Sequence, residues 1–156
     1  MVKAIKVMLI PNNVQKTKMF QYAGASRFAY NWALAREIEN YEKGGKFLSD
    51  AELRKEFTKF RHSDEYAWLL NISNNVTKQA IKDACTAYKN FFRGLQKFPR
   101  FKSKKRSMPK FYADSVIIKC FPAVRKFYTY TDPPVQSVKG YSRIHIFSIC
   151  RNPSMF

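Results

Sequence analysis

Apolar residues recur along this chain with two different periods, and the architecture is expected to change where the period does. Near the N-terminus Ile5, Val7 and Leu9 alternate with Ala4, Lys6 and Met8, which predicts a strand over residues 2–10, closed by Pro11, Asn12 and Asn13. The spacing then lengthens to three and four. A short helix is expected from Asn13 to about Gln21, broken near Gly24. A second is expected over residues 26–43, with Phe28, Trp32, Ala35 and Ile38 inward and Arg36, Glu39 and Glu42 toward water, stopped by Gly44 and Gly45. The next start is the clearest in the chain. Ser49 with Glu52 three residues on makes a capping box, Leu48 and Leu53 stand where a hydrophobic staple would, and Leu53, Phe57 and Phe60 form the buried stripe. Residues 66–70 add one turn that plugs the bundle with Trp68 and Leu69. The last helix has Ser73 as N-cap and Val76, Ala80, Ala84, Ala87, Phe91 and Leu95 on one face, widened by Tyr88 and Phe92, until Pro99 forbids its continuation.

Beyond Pro99 the pattern turns β-rich around Phe111, Val116 and Ile118, over residues 127–130 and over residues 144–149, with Pro133-Pro134 and Gly140 between. The first strand has no local partner and must pair downstream. The expected fold is therefore α+β, a helical unit of about four helices inserted into a small, incomplete β-barrel. The division is 1–11 for the first strand, 12–96 for the helical insert, 97–119 for a basic ribbon returning to the barrel, and 120–156 for a divergent tail.

Charge sharpens this picture. The 156 residues hold 29 Lys plus Arg against 11 Asp plus Glu, a net +18, with 46% hydrophobic and 16% aromatic residues to fill a core. The excess is uneven, +5 over residues 1–83 and +13 over residues 84–156. Between Arg93 and Lys110 lie eight basic residues and no acidic one, interleaved with Phe98 and Phe101. Such a ribbon suits a phosphate backbone with aromatic faces for bases; the alternative is a solvated loop whose Phe residues tuck into a core. Anionic membrane fits less well, since no helix pairs a Lys-lined face with a greasy one, and no apolar run reaches the ~20 residues of a span. Cys85, Cys120 and Cys150 are odd in number and widely spaced, which suggests a reducing, cytoplasmic setting rather than disulfides. No Cys-x-x-Cys or His pairing suggests zinc. His62 and His145 are isolated, and Phe28, Trp32, Tyr88 and Phe91 read as core rather than as stacking platforms.

The ordered set KAIKVMLIPNNVQ, SRFAYNWALA, YEKGGKFLS, AYKNFFRG, KFPRFKSKK and FYADSVIIK resembles the N-terminal part of TnpB-type, or OrfB-type, transposon proteins, relatives of the type V CRISPR nucleases. The resemblance spans residues 2–119. It implies a β-stranded wedge domain with a helical recognition insert, a region also called a helix-turn-helix domain. In a complete member a RuvC-like nuclease with a zinc-binding insert follows. The implied partners are a transposon-end guide RNA and target DNA. The resemblance implies DNA contacts at Asp50, Arg54, Asn74, Asn75 and Lys78, with Tyr112 and Ala113 on the wedge side. Asn74 and Asn75 can present amide edges to bases or simply solvate a helix start, and Tyr112 can stack on a base or sit half-buried in a strand. RNA-backbone contact is expected from Arg93, Lys97, Arg100, Lys102, Lys104, Lys105 and Arg106, read by charge and shape.

Catalysis is not expected from this chain. Two-metal hydrolysis needs converging carboxylates, and from Ala84 onward only Asp114 and Asp132 are acidic. No catalytic residue, metal ligand or cofactor is assigned, divalent metal and zinc belonging to the nuclease half of the family. From Cys120 the resemblance stops, which suggests a reading frame shifted or interrupted near Lys119, or a different ending that completes the wedge. Three readings stay open: a nucleic-acid-binding portion of an RNA-guided transposon endonuclease, a stand-alone DNA-binding regulator, and an inactive relic.

Overall fold

The computed structural model of the chain describes residues 11–114 and 143–146. Its longest element begins at Asn12, whose side chain accepts from the Gln15 N–H at 2.9 Å while the Gln15 side chain accepts from the Asn12 N–H at 3.0 Å. This reciprocal cap opens helix α1 (Asn13–Glu42). The expected break at Gly24 does not occur. A helical glycine costs only about 1 kcal/mol relative to alanine, and here Met19, Tyr22, Ala23, Ala25 and Ala29 on either side are all buried, so packing outweighs the local preference. Because α1 runs unbroken, its inner face continues through Ala33, Leu34 and Glu37. Ala35, expected inward, is exposed, while Phe28, Trp32 and Ile38 pack half-buried against the edge of the core.

Gly44 ends α1 with φ 73°, its N–H donating to the Tyr41 carbonyl at 2.9 Å and the Gly45 N–H to the Asn40 carbonyl at 2.9 Å. This is a Schellman closure, which needs the left-handed conformation that glycine adopts without strain. Helix α2 (Asp50–Phe60) starts at the expected capping box, with Glu52 N–H donating to Ser49 Oγ at 3.3 Å and Ser49 N–H to Glu52 Oε2 at 2.7 Å. It buries Leu53 and Phe57. A 3-10 helix (Asp64–Asn71) follows. Three residues per turn align Tyr66, Leu69 and Ile72, so Leu69 enters the core completely while Trp68 turns aside, 46% exposed and edge-on to Phe28 at 5.6 Å. Of the expected plug, only Leu69 is buried.

Helix α3 (Asn74–Phe92) lies along α1 and buries Val76, Thr77, Ala80, Ile81, Ala84, Cys85 and Tyr88. Both helices bury several alanines alongside larger residues such as Leu34 and Ile81. Ser73 occupies the N-cap position but makes no side-chain capping bond. Gly94, with φ 71°, stops the helix by a second Schellman closure, donating to the Phe91 carbonyl at 2.9 Å while the Leu95 N–H reaches the Asn90 carbonyl at 3.0 Å. The helix therefore ends short of Leu95, which is 68% exposed instead of continuing the apolar face, and Pro99 is not its terminator.

Strand β1 (Phe111–Asp114) pairs antiparallel with β2 (Arg143–Ile146), Phe111 opposite Ile146 and Asp114 opposite Arg143. Phe111 is buried beneath α1, its ring 5.5 Å from that of Tyr22. Among the described residues this two-stranded sheet is the whole of the β structure, and the architecture is a helical domain. The strands expected over residues 2–10 and 127–130, together with Val116, Ile118 and residues 147–149, lie outside the described residues.

Candidate nucleic-acid interface

After Gly94 the backbone has no helical partners, and it is the contacts of residues 98–112 with α1 and α3 that give it a defined course. Asn31, on α1, grips it in two directions: its Nδ2 donates to the Lys102 carbonyl at 2.9 Å and its Oδ1 accepts from the Lys102 N–H at 2.8 Å. Pro99 is buried. Phe98 reaches back to Phe91 at 5.1 Å and Tyr88 at 6.1 Å, both edge-on. Ser103 and Ser107 then tie a tight turn. Ser107 donates its N–H to the Ser103 carbonyl at 2.9 Å, the Ser103 N–H reaches Ser107 Oγ at 3.1 Å, and the Arg106 N–H reaches Ser103 Oγ at 3.2 Å.

These backbone bonds leave most of the basic side chains pointing outward. Arg93, Lys97, Arg100, Lys104, Lys105 and Arg106 are exposed, and among the described residues none of them forms an ion pair. Lys102 differs from the rest. Its Nζ sits 3.4 Å from the centroid of the Tyr30 ring, and burial, helped by the nearby charge of Lys110, lowers its pKa to about 8. Lys102 is thus an anchor of the ribbon as well as a charge within it. Beside it a shallow cleft opens between α1, α3 and the start of β1, lined by Arg27, Asp83, Lys102, Lys110 and Tyr112 among others.

The seven residues expected to approach DNA are carried by three elements, Asp50 and Arg54 on α2, Asn74, Asn75 and Lys78 on α3, and Tyr112 and Ala113 on β1. Arg54 is turned back onto its own helix, its Nη2 2.6 Å from Asp50 Oδ2 and its Nε 2.9 Å from the Asp50 carbonyl. Asp50 is close enough to raise the pKa of Cys85, eleven residues or roughly 16 Å along α3 from Asn74. Asn74, Asn75 and Lys78 are exposed in the first turns of α3, and Tyr112 is half-buried on β1 at the cleft.

Two residues that matter to this surface escaped the sequence reading. Asn31 carries no signal beyond being a polar residue between Tyr30 and Trp32. Glu37 falls in the acidic run on α1 and looks solvated, yet it is 1% exposed. Burial raises its pKa, against which the Leu48 N–H donates to Oε2 at 3.3 Å. Burial and the neighbouring charges of Glu37 and Asp50 push the Cys85 thiol up to about 12, so it stays protonated. Among the described residues no three His, Cys, Asp or Glu side chains are grouped as a metal site would require, and no helix is long and apolar enough to cross a membrane.

Comparison with known proteins agrees with the motifs. The helix-turn-helix domain of the IS605 OrfB family matches residues 1–46, within which the described residues form α1 and the turn after it. The putative RNA-guided DNA endonuclease InsQ of Escherichia coli K12 is 38% identical over 102 residues, covering 65% of this chain and 25% of that protein. A putative RNA-guided DNA endonuclease of Streptomyces pristinaespiralis is 29% identical over 105 residues, covering 67% of this chain and 26% of its own length. The chain spans about a quarter of the length of the curated relatives it matches. Motifs, domain match and identity converge, and the chain is a relative of the TnpB/OrfB-type transposon proteins.

Proposed function

We propose that this chain is a nucleic-acid-binding portion of a TnpB-like, RNA-guided DNA endonuclease system, holding a guide RNA along the ribbon of residues 93–110 and meeting target DNA through the helical domain. The observation that carries the reading is the pinned turn: Asn31 fixes the backbone at Lys102, and Arg100, Lys104, Lys105 and Arg106 face solvent with no acidic partner among the described residues. A charged loop held in one course by its backbone is preorganised for a polyanion, since little backbone entropy remains to be lost on binding. The relatives' names supply the RNA and DNA partners. The pairing of β1 with β2 supports a wedge-like platform under the helical insert, and the reading assigns Asp50, Arg54, Asn74, Asn75, Lys78 and Tyr112 to the DNA side. It calls for no metal ion in the region described.

The test is binding of structured transposon-end RNA by the purified chain as a function of salt. Replacing Arg100, Lys104, Lys105 and Arg106 by Gln is expected to weaken binding on the order of 100-fold at physiological ionic strength and to flatten the salt slope by about three to four units. Unchanged affinity in that variant overturns the reading. A footprint on duplex DNA without any RNA would instead favour a plain DNA-binding regulator.

A further inference from the structure

Where α1 ends, the loop after it and the last turns of α3 enclose a second cleft, and its lining is unusual. Phe47, Tyr88, Tyr41 and Phe92 supply aromatic walls, and Glu37 lines it from α1. Phe47, Tyr41 and Phe92 are exposed by 41%, 59% and 51%, so the walls reach the surface, whereas Glu37 is 1% exposed. One carboxylate oxygen of Glu37, Oε2, accepts from the Leu48 N–H; the other, Oε1, is buried with no hydrogen-bond partner. The Cys85 thiol lies close enough to lower the Glu37 pKa somewhat, yet nothing meets Oε1 in hydrogen-bond geometry. A buried acceptor left unsatisfied is destabilising, a penalty that a donor entering the cleft would remove.

The walls say what shape of donor fits. The Phe47 and Tyr88 rings are nearly parallel, 19° apart, with centroids separated by 6.4 Å. A flat ring held between two others needs roughly 7 Å between the outer planes, so a planar heterocycle enters only when the 41% exposed Phe47 side chain swings off the Tyr88 ring, which is itself 2% exposed. The surroundings are cationic: Lys89 Nζ stands 5.5 Å from the Phe47 ring, and Arg93 follows at the end of α3. Tyr88 also meets Phe98 of the ribbon, edge-on at 6.1 Å, which links this cleft to the ribbon.

We infer that the cleft is a subsite for one unstacked nucleobase bearing an exocyclic amino group, which stacks between Phe47 and Tyr88 and donates to Glu37 Oε1. The inference rests on the proposed RNA-binding reading and deepens it. A single free acceptor favours cytosine, whose edge presents an amino group, over uracil, whose imide N–H is flanked by two carbonyl oxygens that repel a carboxylate.

The experiment compares fluorescein-labelled single-stranded RNAs of roughly twelve nucleotides, oligo-C and oligo-U, by fluorescence anisotropy at moderate salt. These two pyrimidines stack similarly and differ at the edge that Glu37 would read. Wild-type protein is expected to bind oligo-C about tenfold more tightly than oligo-U. Glu37→Gln must keep its amide oxygen toward the Leu48 N–H and so presents NH2 to the cleft, and it is expected to abolish or reverse that preference. Phe47→Ala, at an exposed position that folding tolerates, is expected to weaken oligo-C binding about tenfold. A wild-type ratio within twofold, a Glu37→Gln variant that keeps the ratio, or a Phe47→Ala variant that binds oligo-C like wild type overturns the subsite while leaving the ribbon intact. Failure of the wild type to bind either RNA overturns the ribbon reading as well.

Discussion

Aromatic and basic residues occur in both the helical domain and the ribbon, but they are used for opposite ends. In the helices Phe57 is 2% exposed, with Trp32 edge-on at 5.0 Å and Phe60 at 5.9 Å; in the ribbon Phe101 is 53% exposed. Two of the helical cations find carboxylates at home: Arg36 reaches Glu39 at 2.6 Å and Glu56 at 3.1 Å, and Arg54 reaches Asp50 at 2.6 Å. The ribbon's exposed cations find none among the described residues. Such surface pairs contribute little energy each, so the difference concerns availability more than stability. One region keeps part of its charge in internal pairs; the other has its backbone satisfied by Asn31 and its side chains left over for a partner.

The widest separation between the two is expected from truncating one phenylalanine in each. Phe57→Ala should cost about 3–5 kcal/mol in denaturant unfolding, because the cavity it leaves is closed in by α1 and α2. Phe101→Ala should cost less than about 0.5 kcal/mol and act on RNA binding instead. Equal losses of stability would erase the distinction between scaffold and ribbon.

That distinction was partly legible in the sequence. The capping box at Ser49 and the glycine end of α1 are local signals and stand in the structure where their residue types require, and seven of the eight cations of residues 93–110 are exposed, Lys102 being half-buried against Tyr30. Gly24 misled because its local cost is small beside the burial of Ala23 and Ala25, a tertiary effect that no window along the chain contains. Glu37 was hidden for the same reason. Its burial depends on α3 and the loop at Leu48, far away in sequence, whereas the charge pattern of α1 alone places it in water.

A smaller effect should follow from Asn31→Ala, which joins the two regions. Removing both hydrogen bonds to the Lys102 backbone should cost about 1–3 kcal/mol and loosen the ribbon, seen as faster exchange of the Lys102 amide hydrogen. RNA affinity should fall several-fold although no charge has been removed, since a loosened ribbon must be ordered again on binding. If affinity holds while the amide is deprotected, preorganisation contributes nothing and charge alone governs the surface.

The smallest effect is a pH dependence written into the same junction. Folded Lys102 releases its proton near pH 8, whereas the unfolded chain holds it to the ordinary lysine value of 10.5. Over that window the unfolded state binds more protons, so stability should rise with pH, by no more than about 1 kcal/mol given the partial exposure of the group. Cys85 opposes this from pH 9 upward: its folded thiol keeps its proton to about 12 while the unfolded one loses it from 9, so the unfolded state binds fewer protons and stability should fall. Thermal unfolding between pH 7 and 8.5, where the unfolded thiol is still mostly protonated, therefore reports chiefly on the lysine. Lys102→Met keeps an unbranched stem against Tyr30 and should flatten the rise, and a rise that survives in that variant would place its origin elsewhere than at the contact between ribbon and α1.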